Sequence, residues 1–218
     1  MNRTKIEWTN YTWNPITGCL HGCPYCYARE IANRFDKGDF SPKFHPDRLE
    51  NGPTLVKKPS MVFVCSMSDI GGDFIQPEWI DLILSTVDKC PQHIFQFLTK
   101  RPDNLQKWFK TYRKNVWLGT TIERSEQLWR LEAIKRIKTT PVKFISFEPL
   151  QGPIESDLSG IEWIIIGAQT GKVARLPEIK WVTSLITQAR KAGVSIFMKN
   201  SLEEMGIPML QEWPEVTS

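Results

Sequence analysis

Near its start the chain carries a tight group of soft metal ligands. The segment Cys19-Leu-His-Gly-Cys23-Pro-Tyr-Cys26 places three cysteines three and then two residues apart. Three thiolates on so short a loop can each take one iron of a cubane cluster and leave the fourth iron open, a position that implies reactivity. Gly18 and Gly22 let the backbone fold closely around the sulfurs, and loop N–H groups can donate to an anionic cluster. The same thiolates would make a zinc tetrahedron if His21, Cys65 or Cys90 supplied a fourth ligand, although zinc sites more often come as two separated pairs. A further alternative, buried unligated thiols, has no need of this spacing.

The chain that must position this loop has 218 residues, 41% hydrophobic and 24% charged. At about 100–200 residues per domain that is one globular domain with an ordinary core. No run approaches the ~18 consecutive apolar residues of a membrane span. Met1-Asn2-Arg3-Thr4-Lys5 has no apolar stretch behind it, so no secretory signal is expected and the protein is expected in the cytoplasm. There, five cysteines are metal ligands or catalytic groups before they are disulfides. A net charge of +4 permits a polyanionic partner without requiring one. Most of the nine tryptophans should fill the core, while exposed ones could stack on bases.

Short apolar runs alternate with helix-period segments. Met61–Cys65, Ile94–Leu98, Val116–Thr120, Val142–Phe147, Trp163–Gly167 and Val194–Met198 are strand-sized and apolar on both faces, as in a parallel sheet covered on both sides. A further strand is expected near Tyr11–Asn14. Pro77, Pro102 and Pro177 suit the first turns of crossover helices, Gly193 suits a left-handed helix end, and 123–138 has helical spacing. Repeated βα units, too few for a complete eight-stranded barrel of roughly 250 residues, predict an α/β fold: a partial (β/α)6-7 barrel. The polar stretch at about 35–60 reads as a long loop or lid.

Tyr25 precedes the last cysteine of the triad, and this pattern resembles the radical S-adenosylmethionine (AdoMet) enzymes. Lys5-Ile-Glu-Trp8, Trp13-Asn-Pro15, Gly18-Cys19, Ser66-Met-Ser-Asp69, Leu98-Thr-Lys-Arg-Pro102, Val116-Trp-Leu-Gly119, Phe147-Glu-Pro-Leu150 and Ile165-Ile-Gly167 resemble one branch of it. That branch is an uncharacterised, often phage-encoded family of small radical-AdoMet-like proteins, and the resemblance covers nearly the whole chain. More distantly the layout is similar to the spore photoproduct lyases, which repair a thymine dimer.

The resemblance implies a 4Fe-4S cluster on Cys19, Cys23 and Cys26, and AdoMet bound to the open iron and cleaved reductively to a 5'-deoxyadenosyl radical. That radical would abstract hydrogen from an unidentified substrate, with nucleic acid or a nucleotide as first candidate. A flavodoxin or ferredoxin would be the reductant. It also implies AdoMet contacts from Tyr25, Ser66, Ser68, Asp69 and Lys100, with Thr120 and Thr121 toward the ribose and Gly167 beneath the adenine. Cys65, at a strand end, would give a hydrogen atom to a substrate radical. Each has a structural alternative: caps, turns, solvated rim residues and a buried thiol. Glu148 and Lys199, also at strand ends, could touch substrate, and His21 is given no role. The run Lys107, Lys110, Arg113, Lys114, interleaved with Trp108 and Tyr112, offers a phosphate-contacting surface. Two other readings stay open: a photolesion-repair lyase, and a non-catalytic interaction module stabilised by zinc or a cluster.

Overall fold

The computed structural model describes residues 1–35 and 38–215. Seven parallel strands form the frame: β2 (Tyr11–Trp13), β5 (Met61–Val64), β6 (Ile94–Thr99), β7 (Val116–Thr121), β8 (Val142–Phe147), β9 (Trp163–Ile166) and β10 (Ser195–Met198). They lie side by side in chain order, and β1 (Asn2–Arg3) adds an antiparallel edge to β2. The first and last of the seven do not pair, so the sheet is a partial (β/α) barrel, as the strand count predicts. A two-stranded pair, β3 (Ile16–Thr17) with β4 (Lys43–Phe44), stands beside it.

The crossovers are α1 (Tyr27–Phe35), the short α2 (Asp47–Glu50), α3 (Pro77–Asp88), α4 (Pro102–Trp108), α5 (Trp129–Lys135) and α6 (Ile179–Ala192). Pro77 and Pro102 open α3 and α4, where a missing N–H costs nothing. Pro177 instead precedes the extended Glu178 cap of α6. Gly193 closes α6 at φ +69°. The segment expected to be helical over 123–138 keeps only a 3-10 turn and the short α5. The connection from β8 to β9 has no helix. The expected loop at about 35–60 is partly built, carrying β4, α2 and a 3-10 turn at Pro53–Leu55; Asp36 and Lys37 in it lie outside the described residues.

Strand alternation sends side chains to two cores. Outward residues such as Val62, Val64, Leu118, Ile145, Ile164 and Ile196 pack under the helices. Inward residues Phe63, Trp117, Phe144, Trp163, Ile165 and Phe197 fill the barrel, with Trp8 from the amino-terminal segment wedged among them. Trp8 meets Phe63 at 4.8 Å and Trp163 at 6.2 Å between centroids. This aromatic plug fills the barrel below its carboxyl-end rim. No helix among the described residues is long and apolar enough to cross a membrane.

Candidate active site

Because the seven strands are parallel, every loop that follows a strand opens on the same rim. Continuing each inward series past the strand end brings a chosen set of residues to that rim: Lys100 after β6, Glu123 after β7, Glu148 after β8, Gly167 after β9 and Lys199 after β10. Lys100, Glu148 and Lys199 line a cavity of about 410 Å3 whose floor is Trp8 and Phe63, and Glu123 lines the groove beside it. Cys19, Cys23 and Cys26 line the cavity's other side.

The cysteine loop is fastened from three directions. Gly18 N–H donates to Met67 O at 2.9 Å and Cys19 N–H to Phe40 O at 3.0 Å, while the Arg29 guanidinium holds Cys19 O at 3.1 Å. Gly18 sits at φ +85°, and a Cβ there would stand 2.0 Å from Ser41 O, so the tight entry to the loop requires glycine. Burial, with the nearby Asp69, Cys23 and Cys26, pushes the Cys19 thiol up to about 11 against the pull of the His21 amide. The Arg29 amide points at Cys26 Sγ from 3.4 Å.

These donors decide which metal fits. Among the described residues no three His, Cys, Asp or Glu side chains converge on a single ion. Of the candidate fourth zinc ligands, Cys65 and Cys90 are buried away from the cavity, and His21, on its wall, has Nε2 2.9 Å from Asp69, so no zinc tetrahedron is arranged among the described residues. A cubane asks for something else: each thiolate meets its own corner, so sulfurs that share one wall without converging, with backbone N–H groups aimed at them, fit it.

Two charged groups flank the cavity. On one side Lys100 Nζ pairs with Glu123, whose same oxygen also accepts from the Tyr25 hydroxyl, and Gln127 Nε2 reaches the other oxygen at 3.3 Å. Burial pushes Glu123 up, but Lys100, Tyr25 and Gln127 outweigh it and hold the carboxyl below its usual range. Burial and the same carboxylate push the Tyr25 phenol far up, so it stays protonated and donates. This triad ties the cysteine loop to β6 and β7. On the other side Lys199 pairs with Glu148 and lies 3.7 Å from Glu7; burial lowers the ammonium's pKa, and the two carboxylates more than reverse that. Glu123, Glu7 and Arg130, which lies beside the triad, are not singled out by the sequence pattern. The inward series Trp117, Gly119, Thr121 leads to Glu123.

Several residues expected to bind AdoMet are engaged inside the protein. Asp69 accepts from Gly71 N–H (2.9 Å), the Thr99 hydroxyl and Lys100 N–H (2.8 Å), and His21 Nε2 lies 2.9 Å from its second oxygen. A carboxylate has about four acceptor sites, so Asp69 is a strut joining two rim loops and His21. Burial raises its pKa, and those contacts hold it below the usual range all the same. Ser66 and Ser68 face the cavity but donate their hydroxyl protons to Asn14 Oδ1 (3.1 Å) and Gly18 O (2.6 Å); their lone pairs remain as acceptors. Thr121 reaches the cavity, whereas Thr120, one step out of phase, bonds Thr99 O at 2.8 Å. Gly167 makes room for its neighbours, since a Cβ there would press on Glu148 and Lys199 at 3.1 Å. Cys65 departs furthest from its expected place. Met61 and Phe63 point inward, but the strand stops at Val64, Cys65 turns to φ +59°, and its thiol enters the outer core with 2% exposure. The basic run begins in the last turn of α4, with Lys107 and Trp108, and continues through the link to β7 at the opposite end of the strands, with Arg113 forked onto Asp88.

A family model described as "Protein of unknown function (DUF5131)" matches residues 3–206. The chain belongs to the DUF5131 family. An uncharacterized protein of Methanocaldococcus jannaschii is 27% identical to this DUF5131 chain over 187 residues, 76% of the chain and 68% of the relative. Among solved structures, a spore photoproduct lyase variant with dinucleoside spore photoproduct matches at TM-score 0.58 and 12% identity, covering 91% of this chain and 79% of that one. A second variant, with bound AdoMet and the same dinucleoside, matches at 0.53 and 11%, covering 89% and 64%. At these identities the likeness is one of fold.

Proposed function

We propose that this DUF5131 protein is a radical-AdoMet enzyme. The observation that carries the reading is the cavity wall of Cys19, Cys23 and Cys26 at the carboxyl-end rim of seven parallel strands. The fold shared with a lyase solved with bound AdoMet supports it. Cys19, Cys23 and Cys26 would hold a 4Fe-4S cluster. When bound, that cluster would supply one electron from a flavodoxin or ferredoxin to the AdoMet sulfonium, releasing methionine and a 5'-deoxyadenosyl radical that takes a hydrogen atom from substrate.

The chain's own residues position and shield this chemistry. Tyr25 fixes the cysteine loop through Glu123, and Lys100 balances that carboxylate. Ser66 and Ser68 offer lone pairs to an ammonium group. Trp8 and Phe63 close the floor against water, which protects a radical from side reactions. Lys199 with Glu148 and Glu7 forms a polar, net acidic wall suited to the cationic cosubstrate. Anaerobic reconstitution tests the reading. A brown protein with one cubane per chain, forming 5'-deoxyadenosine from AdoMet once reduced, is expected; a colourless protein that binds zinc and never cleaves AdoMet would overturn it.

A further inference from the structure

Beside the cysteine-lined cavity lies a second, shallower groove of about 510 Å3. The two share His21, Cys23, Tyr25, Lys100 and Gln169 along their common wall. Their chemistry differs. The groove is lined by four cations, Lys100, Arg101, Arg124 and Arg130, against one carboxylate, Glu123. Lys100 and Glu123 neutralise each other, and Arg101 is bound by Asp73 and Asp103. Arg124 and Arg130 are left. Among the described residues neither has a carboxylate within ion-pair distance; Arg124 donates only to the Gln151 amide oxygen at 2.9 Å.

Arg130 is the more telling of the two. It is partly buried, its Nη1 donates to Thr121 O at 2.8 Å, and its Nε is buried without any partner. A desolvated guanidinium with an idle N–H is costly unless an anion completes it. Its planar fork matches the oxygens of phosphate. The charge continues along the rim: Gln169, which lines the groove, begins a small finger closed by Gln169–Arg175 bridging, and that finger carries exposed Lys172 and Arg175.

We propose that this groove is a phosphate-ester subsite in which Arg124 and Arg130 grip the phosphate of a substrate whose remainder reaches the cysteine-lined cavity. The subsite stands on the groove alone; that its occupant is the substrate of radical chemistry rests on the function proposed above. A free nucleotide and a nucleic-acid strand carry the same ester, and the test separates them.

The anaerobically reconstituted full chain is titrated with a labelled single-stranded oligodeoxynucleotide, in competition with thymidine 5'-monophosphate, and its iron content is measured in parallel. Arg124→Gln and Arg130→Gln are each expected to weaken oligonucleotide or nucleotide binding by about tenfold or more. The slope of log affinity against log salt should fall by about one for each phosphate that is no longer gripped. Full iron content should be kept. Competition by the mononucleotide at similar concentration identifies a free nucleotide, and competition only by the oligonucleotide identifies a strand. Lys110→Gln with Lys114→Gln, at the far end of the strands, is the control and should change little. Three results overturn the subsite: unchanged binding in both arginine variants, an equal loss in the control, or a loss of iron in place of binding, which would mean that the arginines serve the cluster. Phosphate binding that persists in a protein unable to cleave AdoMet would sink the radical reading and leave the subsite standing.

Discussion

The five cysteines divide into two groups that the chain treats in opposite ways. Cys19, Cys23 and Cys26 are partly exposed on one cavity wall, held by a loop with N–H groups aimed at sulfur. Cys65 and Cys90 are buried in the outer core among aliphatic and aromatic side chains. Burial, with Asp69 nearby, pushes the Cys65 thiol up to about 12, against the Ile16 amide that favours the thiolate. A thiol on the cavity wall can meet a metal; a thiol packed as a small hydrophobe does not. Position along the chain does not distinguish them, since Cys65 ends an apolar run that points at the rim. The backbone does, through a single left-handed residue.

The strongest way to break this contrast is to remove a wall sulfur. Replacing Cys19, Cys23 or Cys26 singly by alanine should abolish the brown chromophore and reduce 5'-deoxyadenosine formation to background, while circular dichroism shows a folded chain. Retention of full iron content in any one of them would refute the three-corner grip.

Next in size is the buried triad that fastens the loop. Glu123→Ala leaves the Lys100 ammonium uncompensated in a largely buried site, a change that typically costs about 3 kcal/mol or more and on the order of 6–12 °C in Tm for a chain of this size. A Lys100→Met, Glu123→Leu double variant should recover part of that loss in calorimetry. The carboxylate also sets a pH dependence. Its folded pKa is depressed, so its stabilisation is present above the unfolded carboxylate value near ~4.3 and is lost as pH falls below it. Glu123→Gln should therefore flatten the acid limb of the Tm–pH curve relative to the parent chain.

How far the rim could be foreseen follows from the same geometry. The strands and their parallel order were legible because β-branched and aromatic runs recur at regular spacing. The cysteine triad was legible because its chemistry lies in local spacing. Glu123 was not singled out, because its meaning comes from facing Tyr25, 98 residues away in sequence. The engagement of Asp69 was also hidden, since its donors come from its own turn and the end of β6, with His21 of the cysteine loop beside it. Strand alternation alone separates Thr120 from Thr121, because adjacent strand residues cannot face one side. Gly167 is expected beneath an adenine or in a plain turn, and its place against the Glu148–Lys199 pair is not legible, because those side chains come from two other strands. Gly167→Ala should push the Glu148 and Lys199 side chains aside by a few tenths of an ångström and change stability by no more than about 1 kcal/mol, and iron content should be unaffected.

The smallest expected effect on activity is the most discriminating. Cys65→Ala removes one buried sulfur from the outer core and keeps the left-handed turn that alanine tolerates no worse than cysteine, so the loss is about 1 kcal/mol, near that of one buried methylene with a small cavity term. Because the thiol faces Trp13, Ile16 and their neighbours and not the cavity, formation of 5'-deoxyadenosine should stay at the parent rate. Consumption of any substrate taken by the groove should stay at that rate too. A hydrogen donor would behave differently: AdoMet cleavage would persist while product yield fell and radical-derived by-products rose. Measuring both quantities on one preparation separates the roles. A selective loss of product would return Cys65 to the chemistry and require the β5 turn to open during turnover. Cys65→Gly sharpens the comparison, since glycine relieves the positive φ that cysteine bears and should offset part of the lost packing.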